Sequence, residues 1–163
     1  AQVFYYLSDE DLGALIAYLK TLPPVDNELP PLRLGPLGRL MLALGEAPFR
    51  TPDVIVIDHE SRPPVAPQPG ITKEYGQYLT HVCTQCHGQL MEREGLVPNL
   101  TRGGEVAFWS EEEFIATVQT GVTPSGHQRN EYMPWKYFGQ MTDDELSAVW
   151  LYLQSLPALE QGR

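Results

Sequence analysis

The chain has only two cysteines among its 163 residues, so a four-thiolate zinc site, which needs two more, is excluded. It also has no long apolar run. A membrane helix needs roughly 20 apolar residues, and the nearest stretch, Leu32 to Leu44, is interrupted by Arg33 and Arg39. Positive charge is scarce as well: 11 Lys and Arg stand against 21 Asp and Glu, a formal net charge of −10. That balance argues against a nucleic-acid or anionic-membrane surface and favours a basic or neutral docking partner. Neither an initiator methionine nor a secretory signal opens the sequence, so the expectation is a processed or partly recorded polypeptide.

What is present begins with both cysteines in one motif, Cys83-Thr84-Gln85-Cys86-His87. Two thiols one helical turn apart on a single face can both reach the vinyl groups of one porphyrin, and the adjacent imidazole then sits under its iron. CxxCH is therefore a haem c attachment signature. Cys2His2 zinc needs a second histidine at finger spacing, and His59, His81 and His127 do not provide it. A thioredoxin-like dithiol needs a βαβ setting, whereas these flanks read as helix.

Hydrophobic residues make up 42% of the chain, enough for a core, while 15 prolines crowd mainly between residues 23 and 69. The organisation expected is an orphan helix (1–24), a Pro-rich connector (25–70) and a haem domain (71–163). Ser8 followed by three acids caps a helix with Leu12, Leu15, Ile16 and Leu19 at helical spacing, stopped by Pro23-Pro24. The stretch Phe4–Pro23 matches Phe138–Pro157, each residue pairing with the one 134 positions later. The chain thus opens on what reads as the last helix of a domain. The connector takes extended or turn conformations, with one short helix from Pro36 to Leu44 stopped by Gly45, and Val54–Ile57 as a small extended segment.

From Thr72 the pattern is helical, with Tyr75, Tyr78, Leu79 and Val82 on one face leading into CxxCH. Ser110-Glu111-Glu112-Glu113 is a capping box for a helix stopped by Gly121, and Thr142-Asp143-Asp144-Glu145 caps the final helix. Trp135 and Tyr137 are expected to pack, and His81 to lie at the surface.

Residues 72–157 resemble a class I c-type cytochrome domain. The resemblance rests on Gly76 and Tyr78 before CxxCH, Gly-Leu-Val-Pro-Asn-Leu-Thr at 95–101, a capped middle helix, Met133-Pro134-Trp135, and a last helix ending Tyr152-Leu153-Gln154-Ser155-Leu156-Pro157. It implies an all-α, class I cytochrome c fold, preceded here by the orphan helix and connector, with first and last helices crossing near Gly76. It also implies one covalent haem c held by Cys83 and Cys86, with His87 on one side of the iron and the Pro98 carbonyl orienting that imidazole.

Met41 lies in the connector, Met91 follows His87 too closely to reach the opposite face, and Met141 precedes an N-cap, where an apolar residue packs. Met133, 46 residues after His87, matches the family's axial methionine, with His127, Met141 or an open position as alternatives. Trp109 resembles a haem propionate donor and reads equally as a core aromatic. Gln119 stands where relatives often carry arginine.

The function implied is electron transfer, not enzyme catalysis, with other redox subunits or electron-transfer proteins as partners. The setting expected is a membrane-associated respiratory or photosynthetic complex, such as an alternative complex III type quinol oxidoreductase, on the periplasmic or outer face of the bacterial cytoplasmic membrane. The other readings are a free periplasmic carrier, and a haem enzyme or gas sensor with an open sixth position.

Overall fold

The computed structural model describes residues 2–31, 33–45, 65–92 and 97–159. It divides into two units, Ala1–Val65 and Ala66–Arg163. Val54–Ile57, His59, Gly95 and Leu96 lie outside the described residues. Among those described there is no β-strand, and one isolated bridge pairs Val122 with Gln128. No described helix is long and apolar enough to cross a membrane.

In the first unit α1 (Gln2–Tyr5) precedes α2 (Asp9–Thr21) and α3 (Pro36–Ala43). The Ser8 hydroxyl accepts the Asp11 amide at 3.1 Å, filling one of the orphan donors at the start of α2. Three acids in its first turn suit the positive end of the helix. Proline opens α3, where its missing N–H is not needed, and Gly45 follows that helix with φ +69. Neither α2 nor α3 has a buried residue.

The second unit is built on α4 (Lys73–Thr80), α5 (Thr84–His87), α6 (Glu111–Thr120), α7 (Trp135–Phe138) and α8 (Asp143–Ser155). Both expected capping boxes are formed, at Ser110/Glu113 and Thr142/Glu145, and α6 ends on Gly121 in the left-handed region. Its core is Met91, Phe114, Val149 and Leu153, with Leu79, Leu100, Trp109 and Met141 packed around it. The Phe114 and Trp150 rings meet at 5.3 Å, joining α6 to α8. Ser147 donates to Glu111, and Gln119 Nε2 donates to Asp143 Oδ1 at 2.9 Å, so polar contacts bind α6 to α8 at both ends of α6.

The decisive contact is between α4 and α8. A Cβ built on Gly76 would lie 1.9 Å from the Ala148 carbonyl oxygen and 3.0 Å from Tyr152 Cβ. Glycine is required there because the two backbones touch, and Ala148 opposite is fully buried. Tyr75 Oη donates to Glu145 Oε1 at 3.4 Å beside the crossing. Pro69 and Gly70, just before α4, line a cleft with Tyr75, Thr142, Asp144 and Glu145.

Gly76→Ala should therefore destabilise this unit by about 2 kcal/mol, a fall of roughly 8–16 °C in Tm for a unit of this size. Gly13→Ala on α2, where a new Cβ meets nothing within 4 Å, should leave Tm unchanged or slightly raised. Thermal unfolding followed by circular dichroism checks both, and equal Tm for Gly76→Ala and the parent would contradict the crossing.

Candidate haem attachment site

Helix α4 does not run unbroken into the motif. It tightens to a 3-10 turn over His81–Cys83, and α5 then carries Cys86 and His87 before Gly88 turns the chain at φ +81. Cys83 is half-buried and Cys86 exposed, and the two are not disulfide-bonded. Burial, and then the neighbouring Cys86, push the Cys83 thiol up to about 11. A redox dithiol of the thioredoxin kind has the opposite shift, toward the thiolate. Among the described residues no group of three or more His, Cys, Asp or Glu is placed to hold a metal ion.

His87 is 4% exposed. Its Nδ1 lies 2.9 Å from the Pro98 carbonyl oxygen. A carbonyl only accepts, so Nδ1 carries the proton and Nε2 keeps its lone pair. Burial lowers the His87 pKa, the Pro98 hydrogen bond opposes that, and the positive Arg129 lowers it further. The ring is therefore a neutral imidazole with one nitrogen available as a ligand.

The segment bearing Pro98 is tied down by contacts that sequence reading missed. The Leu100 amide donates to the Met91 carbonyl at 2.8 Å, and Met91 itself is buried with φ +60. Asn99 and Thr101 are both fully buried. Asn99 Oδ1 accepts the Thr101 amide at 2.8 Å and the Thr101 hydroxyl at 2.7 Å, and Asn99 Nδ2 donates to the Leu159 carbonyl at 3.0 Å. The Leu159 amide in turn donates to Thr101 Oγ1 at 3.3 Å. A Cβ on Gly103 would lie 1.8 Å from the Leu159 oxygen, so the tail beyond α8 lies directly on this loop.

Met133 is half-buried in a loop held by its own amide, which donates to Asn130 O at 3.0 Å, and by the Trp135 amide, which donates to Met133 O at 2.7 Å. Met91 and Met141 belong to the apolar core and Met41 lies on α3. Trp109 packs against that core, with the Arg129 guanidinium 5.8 Å above its ring and paired with Glu105. Gln119 is engaged with Asp143, so the cation beside Trp109 is Arg129, which the sequence analysis did not single out.

His127 is exposed, and His81 is half-buried with its pKa lowered by burial, so it is not the surface histidine expected. Tyr137 is a second correction: it is 75% exposed, not packed. On the one-turn helix α7 the half-buried Trp135 lies against Gly121, and a residue two positions on points about 200° away.

The cytochrome c family model matches residues 74–157. The chain belongs to the cytochrome c family. No curated protein matches it. Membership assigns the chain to haem-based electron transfer and implies covalent haem c, for which Cys83 and Cys86 are present. The residues fit that group: two neighbouring free thiols, of which burial holds Cys83 off the thiolate form, and a buried neutral imidazole whose outer nitrogen is oriented by a backbone carbonyl.

Removing the Asn99 side chain in Asn99→Ala leaves the buried Thr101 amide without its acceptor and the half-buried Leu159 carbonyl with only the longer bond from Thr101 Oγ1. The expected loss is about 2 kcal/mol, read from the urea midpoint of the haem-loaded protein. A change under about 0.5 kcal/mol, the range of ordinary surface substitutions, would contradict the clasp.

Proposed function

We propose that this cytochrome c passes single electrons between redox proteins through one haem c attached at Cys83 and Cys86, with His87 and Met133 as axial ligands. The observation that carries the reading is the His87 ring, buried and locked by the Pro98 carbonyl with Nε2 left to bind iron. Met133 is supported by exclusion among the methionines: Met91 and Met141 fill the apolar core, while Met133 sits half-buried in a braced loop. Bound haem supplies one-electron iron chemistry, and a thioether opposite imidazole favours Fe(II) and raises the potential relative to two imidazoles. The Arg129 guanidinium lies over the Trp109 ring, which supports reading the two as donors for a propionate.

The net charge of −10 suits a basic or neutral docking partner. The Pro-rich connector and α3, with Leu37, Leu40 and Leu44 exposed, are features that a freely diffusing carrier does not need. They support a role as a subunit of a membrane-associated respiratory or photosynthetic complex on the outer face of the bacterial membrane. A cytochrome subunit of an alternative complex III type assembly is the example that the family resemblance suggests.

Met133→Ala should abolish the sulfur-to-iron charge-transfer band of the oxidised protein. It should also lower the potential by more than about 0.1 V, a fraction of the roughly 0.8 V that axial ligands control. Met141→Ala should keep the band. The reverse pattern would transfer the ligand role to Met141, and a parent protein without the band would favour an open or histidine-ligated iron.

A further inference from the structure

Helix α2 repeats α8 in more than sequence. Eight of the twenty residues from Phe4 to Pro23 are identical to those 134 positions later. Both helices have 13 residues and begin at a hydroxyl N-cap in extended backbone, Ser8 at φ −60, ψ 161 and Thr142 at φ −66, ψ 159. Both carry acids at their first three positions. Both end on a leucine in extended backbone, Leu22 and Leu156, whose amide donates to the leucine three residues before it, at 3.3 and 3.2 Å.

They differ in what covers them. Helix α8 buries Leu146, Ala148, Val149 and Leu153. The counterparts on α2 are Leu12, Ala14, Leu15 and Leu19, and no residue of α2 is buried. Tyr18, the counterpart of Tyr152, is 62% exposed, and Leu19 is 54% exposed. A helix of this length is marginal in water without an apolar face to pack. On α8 the covering element is α4, whose Gly76 admits the Ala148 backbone. Helix α2 retains the complementary half of that contact, a small Ala14 at the crossing position and Tyr18 one turn beyond.

We propose that α2 is the closing helix of a second haem c domain. The occupant of its exposed face is a glycine-notched helix of the α4 kind, leading into a second haem attachment motif N-terminal to α2 on the same polypeptide. The same-chain source follows from the repeat, because α4 and α8 share one chain with their starts 70 positions apart. A second copy of the haem unit does not fit, since its α4 is already covered by its own α8. The inference rests on family membership and not on the identity of the sixth ligand.

Two measurements test it. In the first, Asp143–Ser155 is replaced in the full chain by the sequence of Asp9–Thr21, and haem loading and Tm are read. The transplant should load haem and melt within about 10 °C of the parent, as tolerated core exchanges do. A control transplant carrying Ala14→Trp at the crossing should fail to load, and a transplant no better than that control overturns the proposal.

The second is intact mass and haem stoichiometry of the protein purified from its source, expected to show a polypeptide above 18.3 kDa with two haems. A mass of 18.3 kDa plus one haem, or a second haem on a separate co-purifying polypeptide, overturns it. Either failure would leave the charge-transfer band assigned to Met133 unaffected.

Discussion

The haem unit depends on one backbone contact, the place where α4 and α8 touch at Gly76 and Ala148. Since the attachment motif begins within the single 3-10 turn that follows α4, the crossing fixes where Cys83, Cys86 and His87 stand relative to the core. Apolar burial along α8, at about 1.5–3 kcal/mol per fully buried large side chain, holds the crossing closed. The motif supplies the reactive groups, and the helix pair supplies their position.

Around that crossing the chain builds a second restraint from the opposite direction. The tail after α8 reaches back through Leu159 to Asn99 and Thr101, and those residues flank the carbonyl that holds His87. The same helix therefore bears on the imidazole twice, through Gly76 upstream of the motif and through the tail downstream of it. An imidazole fixed in one tautomer suits the proposed electron transfer, in which the site should change little between oxidation states.

Much of this was legible because it is local chemistry. Ser8, Ser110 with Glu113, Thr142 with Glu145, Pro36 and Gly121 act on backbone groups within four residues, so a short window of sequence contains the whole interaction. The His87–Pro98 contact was expected from family resemblance alone. The clasp from Asn99 to Leu159 spans 60 residues and ends on a backbone carbonyl, which leaves no signature in the partner's identity. Arg129 above Trp109 was hidden for the same reason, since the side chains are 20 positions apart and belong to different loops. Tyr137 was misread because composition shows an aromatic residue but not which way a one-turn helix faces.

The account stands on covalent attachment of haem at the two neighbouring thiols. Mass spectrometry of the peptide containing Cys83–His87, taken from protein washed with acid acetone, tests this most directly. The account predicts that this peptide retains the mass of one haem through extraction. Recovery of the peptide with both cysteines as unmodified thiols, or joined to each other, would contradict it.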